Sequence, residues 1–186
     1  MTTQPRPAKL TADAFIAWAA AQPRGRFELS GGEIVAMAPE RLAHTRAKYE
    51  MMIALRSAIA AKGLGCEAIG DGVSVRIDDA TVYEPDALVR CGARAPGDAM
   101  AVDDPVVVVE VISPSSRGVD TGAKLADYFR LPTVRHYLVV QTEARVVIHY
   151  RRDDAGEIAV RILRDGALTL DPPGVEIGIA DIFAPL

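Results

Sequence analysis

A carboxylate set in a run of valines is the first residue that calls for a chemical explanation. In "PVVVVEVISPSS" (105–116) four consecutive valines lead straight into Glu110. Apolar residues on both sides of the pleat mark a strand covered on both faces. An ionised carboxylate there has lost its water, which costs several kcal/mol unless it meets a cation, a metal or a proton. Alternate residues of a strand share a face, so Val108 and Ile112 are its neighbours, and neither can neutralise it. A second carboxylate stands upstream in "VYEPDALV", where Pro85 interrupts strand hydrogen bonding and Asp86 follows on the side of Glu84 and Leu88. Two carboxylates brought side by side attract a hard divalent cation, and Mg²⁺ takes one or two of them and completes its shell with carbonyls and water. Taken singly, each residue also has a plainer role. Asp86 after proline can bond its own backbone, and Glu110 can be half of a structural ion pair with a core-facing Arg or Lys.

The elements that must position these groups follow from composition and pattern. The chain has 186 residues, 49% hydrophobic and 25% charged, which is enough for one domain with a real core, and a single domain over 1–186 is expected. Its net charge of −4 argues against indiscriminate coating of nucleic acid but permits a local basic patch. Arg41, Arg46 and Lys48 form one candidate patch, and Arg117, Lys124, Arg130 and Arg135 form another. No apolar run approaches the ~20 residues of a membrane helix, and "MTTQPRPAKL" lacks the order of a secretory signal, so a cytoplasmic protein without membrane contact is expected. Cys66 and Cys91 lack the paired Cys or His of a zinc site and read as free thiols.

Along the chain, "LTADAFIAWAAAQP" is a short helix capped by Thr11, and "RFELSGGEIVAMAP" is a hairpin turning at Gly31-Gly32. "ERLAHTRAKYEMMIALRSAIAAKG" is the main helix, with Leu42, Tyr49, Met52, Leu55 and Ile59 as its apolar face and Gly63 as its stop. Strands are expected at Cys66 to Ile69, Val73 to Ile77 and Val82 to Val89. "DTGAKLADYFRL" is a helix capped by Asp120, with Lys124 and Tyr128 one turn apart on one face. "RHYLVVQ", "RVVIHYR" and "EIAVRIL" are three closing strands, the last two joined by a turn near Asp153 to Gly156. His136, His149 and Tyr128 are read as structural. Strands mixed with a long early helix and a short late one predict an α/β (α+β) fold with a central mixed β-sheet flanked by helices.

The Pro-Asp followed by a glutamate in a central hydrophobic strand resembles the PD-(D/E)XK nuclease superfamily. Over nearly its full length the chain resembles the Uma2 family of restriction-endonuclease-like proteins, on "FELSGGEIVAMAPERLAH", "EPDALV", "VVVVEVISPSSRGVDTGAKLADYF" and "VRHYLVV" in that order. The resemblance implies a restriction-endonuclease-like fold, metal-dependent hydrolysis of nucleic-acid phosphodiesters, DNA foremost, and a homodimer. The lysine that the superfamily places two residues after the glutamate is Ile112 here, and the family pattern carries its lysine on the following helix, as Lys124. Its long stem would return the ammonium to the strand's carboxylates. Glu28 and His44 also match the pattern, the first as a direct or water-mediated metal contact, the second as a phosphate contact or proton carrier. On this basis Asp86 and Glu110, with the Val111 carbonyl, are expected to hold Mg²⁺ or Mn²⁺, while Lys124 activates the attacking water. Neutralising either acid would relieve repulsion and leave the fold intact or slightly more stable. The alternative is a catalytically inactive nuclease fold that binds nucleic acid or serves as a structural module.

Overall fold

The computed structural model describes residues 9–112 and 121–183. Asp120, expected to cap a helix, and Arg117 of the second basic group lie outside the described residues. In chain order the elements are α1 (Ala12–Ala20), β1 (Phe27–Ser30), β2 (Glu33–Ala36), α2 (Leu42–Lys62), β3 (Cys66–Gly70), β4 (Ser74–Asp78), β5 (Thr81–Tyr83), β6 (Ala87–Cys91), β7 (Ala101–Val102), β8 (Pro105–Ile112), α3 (Thr121–Tyr128), β9 (His136–Gln141), β10 (Val146–Arg152), β11 (Ile158–Leu163), β12 (Ala167–Leu170), β13 (Val175–Gly178) and α4 (Ile179–Ile182).

Local chemistry sets several of these boundaries. The Thr11 hydroxyl accepts the Ala14 N–H at 3.3 Å and opens α1. Gly63, with φ of 61°, closes α2 in the left-handed conformation that a side chain resists. The β1–β2 hairpin turns on Gly31 and Gly32, whose φ values of 56° and 84° suit a tight two-residue loop.

The central sheet has six strands in the order β11-β10-β9-β8-β6-β3. It is mixed: β8 runs parallel to β9, with Glu110 beside Val139, and antiparallel to β6. On one face Met51, Leu55 and Ile59 of α2, the β12–β13 hairpin and α4 pack on Val107, Val109, Leu138 and Val140. On the other, Tyr128 of α3 and Val75, Ile77 and Tyr83 of the second sheet pack on Val108, Tyr137 and Val139. That second sheet, in the order β2-β1-β5-β4-β7, carries α1 on a small core of Ala12, Phe15, Leu29 and Val82. Val107, Val108 and Val109 are all fully buried, and such side chains stabilise by about 1.5–3 kcal/mol each, enough to carry the charged residue that follows them. The α+β architecture matches expectation.

Several details do not. Cys66 and Cys91 are not free: they face one another across β3 and β6, their Cα atoms 3.9 Å apart, and form a disulfide. The 25-residue gap between them hides a register that only the sheet creates. The strand expected over Val82 to Val89 divides at Glu84-Pro85-Asp86 into β5 and β6, which belong to different sheets. On α2 the buried stripe is Ala47, Lys48, Met51, Leu55 and Ile59, while Leu42 and Tyr49 are exposed. The chain does not close with three strands, since β12, β13 and α4 follow and supply Leu168, Leu170, Val175 and Ile177 to the core. No helix among the described residues is long and apolar enough to cross a membrane.

Candidate active site

Pro85 is the hinge on which the site is built. It has no N–H to donate, so the strand that ends at Tyr83 cannot simply continue, and the chain passes from one sheet to the other within Glu84-Pro85-Asp86. Asp86 is fastened at once to the central strand. Its N–H donates to the Val109 carbonyl at 3.0 Å, and its Oδ2 accepts the Val111 N–H at 2.6 Å. Val111 therefore meets Asp86 through its amide.

From the other side, α2 presents His44 and Lys48 one turn apart. His44 Nε2 donates to Asp86 Oδ2 at 3.2 Å, and Lys48 Nζ lies 3.0 Å from Oδ1. Lys48 also donates to Glu40 at 2.8 Å and Asp71 at 2.6 Å, while Arg26 bridges Glu40, Asp71 and Glu84. Burial pushes the Asp86 carboxyl up, but the His44 hydrogen bond and the Lys48 charge outweigh it and hold the group below the usual carboxylate range. The same acids hold the Lys48 ammonium above its ordinary value despite its burial.

Glu110 answers the question of its own charge. Lys124 Nζ donates to Glu110 Oε1 at 3.2 Å and to Glu28 Oε1 at 2.8 Å, and the Tyr128 hydroxyl donates to Glu110 Oε1 at 2.9 Å. Glu28 is fixed in turn by the Glu84 N–H at 2.9 Å. The Lys124 ammonium also sits 5.3 Å from the centre of the Tyr83 ring. Glu110 is 7% exposed, Glu28 4% and Lys124 5%. Burial pushes the Glu110 carboxyl up to about 8 against the pull of Lys124, with the charges of Asp86 and Glu28 adding to the rise.

The expected residues are thus brought to one region, but as two linked groups. Glu28, Glu110 and Lys124 form one; Asp86 and His44 form the other, joined to the first through Val111. Among the described residues, the set whose ligand atoms converge is Glu40, His44 and Asp86, all within 4.8 Å of one another. Glu110 is not in that set; its Oε1 is engaged with Lys124 and Tyr128. Two carboxylate oxygens and an imidazole nitrogen can hold a divalent cation, and a nitrogen in the set suits Mn²⁺ better than Mg²⁺.

Lys48, Glu40 and Tyr128 were missed as site residues. The signal for the first two was the four-residue spacing Glu40, His44, Lys48: it places His44 and Lys48 on one face of α2, and Glu40 lies just before the helix's N-cap, Arg41. Tyr128 was assigned to the core, and its ring is indeed fully buried, while its hydroxyl serves Glu110. Of the two basic groups, Lys48 is buried among acids, Arg130 pairs with Asp78 and Asp127, and Arg135 pairs with Asp154, so these three described residues are taken up by acidic partners.

With this geometry in view, the comparisons with known proteins are decisive for the family. The family model Uma2, described as "Putative restriction endonuclease", matches residues 12–184. The chain belongs to the Uma2 family. A similar protein, the uncharacterized slr1290 of Synechocystis sp., is 25% identical over 180 residues, covering 96% of this chain and 93% of its own. Among solved structures, one from Anabaena variabilis, described as "a putative nuclease belonging to DUF820", superposes with a TM-score of 0.76 at 16% identity, covering 94% of this chain and 98% of that one. At that identity the likeness concerns the fold. For a Uma2 chain, Glu28, His44, Asp86, Glu110 and Lys124 come from β1, α2, the sheet-to-sheet passage, β8 and α3 respectively, so every major layer contributes a residue.

Proposed function

We propose that this chain is a metal-dependent endonuclease that hydrolyses phosphodiester bonds of nucleic acid, DNA foremost, as a single catalytic domain working in a homodimer. The observation that carries the proposal is the position of Lys124. A helix residue delivers its ammonium to the strand acid Glu110 and to Glu28, in a chain whose strand has Ile112 in place of a lysine. Family membership supports nuclease chemistry in general, and the local geometry supports these residues in particular.

Asp86 and Glu110, with the Val111 carbonyl, would hold Mg²⁺ or Mn²⁺, and His44 and Glu40 extend the donors around Asp86. Such an ion supplies a water of lowered pKa and charge neutralisation for the phosphate. Lys124 orients the attacking water and offsets charge developing on the phosphoryl oxygens, while Glu28 holds the ammonium in place. His44, donating to Asp86, is placed to contact a phosphate or relay a proton. The homodimer is supported by the edge strand β11, which exposes Ile158, Val160 and Ile162 by 45%, 53% and 66% in one stripe. A cytoplasmic location goes with this substrate. A disulfide is rare in reducing compartments, so the thiol state of the protein in cells is the direct check on that part.

One observation favours a second reading, a nuclease fold that binds without cutting. Asp86 and Glu110 each already face a lysine, Lys48 and Lys124, so each acid has a cationic partner without any ion. Cleavage of DNA and RNA substrates with and without Mg²⁺ or Mn²⁺, by wild type and Asp86→Asn, separates the two. Metal-dependent cleavage lost in the variant upholds the enzyme. Nucleic-acid binding without cleavage, alike in both proteins, upholds the module.

A further inference from the structure

The outer side of α2 is patterned as regularly as its buried side. Leu42, Arg46, Tyr49, Ile53 and Arg56 follow one another at spacings of four, three, four and three residues, which sets them in one stripe along the helix, and all five are exposed. The stripe lies opposite Met51, Leu55 and Ile59, which pack on the central sheet. Leu42 is 64% exposed, Tyr49 58% and Ile53 42%. A surface helix ordinarily gives such positions to polar residues, so three large apolar side chains there form a patch that the described residues leave uncovered. The stripe begins in the turn that holds His44, at the candidate active site, and runs about 20 Å along the helix axis.

The charge of this stripe has one sign. Arg46 and Arg56 carry it, with Arg41 just ahead of the helix, and among the described residues none of the three forms an ion pair. Glu50, the sole acid of α2, stands one turn from Arg46 without pairing to it. A chain of net charge −4 thus keeps positive charge on this face that no acid of the fold takes up. The arginines also narrow the choice of occupant. A second copy would bring Arg46 and Arg56 of both chains into one seam with no carboxylate on the stripe, and like charges brought together cost affinity. A polyanion is complementary. The Tyr49 ring between the two cations selects a polyanion that has flat, unpaired groups to lay on it.

We propose that the outer face of α2 is the track for an unpaired nucleic-acid strand, its phosphates resting on Arg41, Arg46 and Arg56 and one base stacked on Tyr49 between Leu42 and Ile53. The inference rests on the reading of the neighbouring site as one that acts on nucleic acid, and adds where the strand lies and that it is unpaired. Within a duplex the faces of a base are already stacked, so a duplex has only the arginines to meet and gains nothing from Tyr49. Stacking of this kind is indifferent to sequence, because every base has a face to offer. The track therefore feeds a strand toward the turn of His44 without choosing its sequence.

The test is fluorescence anisotropy of the full chain with a labelled single-stranded oligonucleotide and with the duplex of the same sequence, chelator present so that neither is cut. The single strand should bind at least about tenfold more tightly than the duplex. Tyr49→Ala should weaken strand binding by about tenfold or more, and Tyr49→Phe, which keeps the ring, should not. Arg46→Gln and Arg56→Gln should each reduce the slope of log affinity against log salt by about 0.7, while Arg164→Gln, an equal loss of charge just past β11, should leave it unchanged. All four residues are exposed, so the variants should fold, which their melting curves will verify. No strand binding by wild type, binding unchanged in the α2 variants, or duplex bound as tightly as strand overturns the inference. Displacement of the strand by polyglutamate of equal charge would assign the face to an acidic protein, and a dimer that Tyr49→Ala dissolves in sedimentation would assign it to a second copy; either result overturns it too. Cleavage with Mn²⁺ judges the nuclease reading apart. Cleavage indifferent to the α2 variants sinks the track alone, and strand binding on α2 without any cleavage sinks the nuclease alone.

Discussion

Lys124 and Glu110 belong to different elements, fourteen residues apart, yet Nζ of the first stands 3.2 Å from Oε1 of the second inside the protein. Glu28 closes the group from a third element, 96 residues from Lys124. One ammonium thus bridges two buried carboxylates. Its removal should act on stability and on chemistry together.

Lys124→Ala should destabilise the fold by about 3 kcal/mol, at the low end for breaking a buried ion pair, because Glu110 can take a proton in place of its partner. In single-turnover cleavage the same variant should lose on the order of a hundredfold in rate with little change in substrate affinity. Adding Ile112→Lys should restore part of the rate, from the strand position beside the acid. If Lys124→Ala cleaves as wild type does, Lys124 has no catalytic role.

Asp86→Asn should lower stability in the absence of metal by about 2 kcal/mol. The sequence suggested relief of like-charge repulsion, but the fold surrounds Asp86 with His44, Lys48 and the Val111 N–H, so its charge is favourable where it stands. Chemical denaturation with chelator measures this. The rise in melting temperature on adding Mn²⁺ should disappear in the variant, and a rise that survives would place the ion elsewhere.

The buried pair of His136 and His149, whose Nδ1 and Nε2 lie 2.8 Å apart, makes stability depend on acid. His136 and His149 titrate at about 4 in the folded protein against 6.5 for the free side chain, so below about pH 6.5 the unfolded chain binds protons that the folded one does not. Their contribution is fully present above pH 6.5, falls as pH drops toward 4 and then levels off. Urea midpoints across this range should show a loss of a few kcal/mol, and the slope should shrink in His149→Phe. A midpoint flat from pH 7 to 4.5 would contradict the neutral pair.

Reduction of Cys66–Cys91 should cost about 3.5 kcal/mol by the loop-entropy relation for its 25-residue separation, or on the order of 10 °C in melting temperature. Calorimetry with and without reductant measures it, and Cys66→Ala/Cys91→Ala should match the reduced protein. Identical melting in both states would show that the bond adds nothing to stability.

What the sequence made legible was local. The valine run announced a buried strand, Gly63 and Gly31-Gly32 announced their turns, and the four-residue spacing of Lys124 and Tyr128 put both on the face that meets Glu110. Each signal needs only neighbouring residues. The division of one apparent strand at Pro85, the pairing of Cys66 with Cys91 and the capture of Lys48 by Glu40, Asp71 and Asp86 depend on register between distant segments, which periodicity does not encode. The β12–β13 hairpin escaped notice because strands of four residues give too short an alternation to stand out.

The passage through Glu84-Pro85-Asp86 has a kinetic consequence. Asp86 meets His44 from 42 residues away and Val111 from 25, and Glu84 meets Glu28 from 56, so these contacts close only after large loops have been closed on both sides of the proline. Contacts of such span form slowly, because the chain surrenders its freedom before they reward it. Neither sheet alone contains the site, and an intermediate with just one sheet in place would be well ordered and inert. Activity is therefore the last property this chain should acquire during refolding, lagging the recovery of secondary structure.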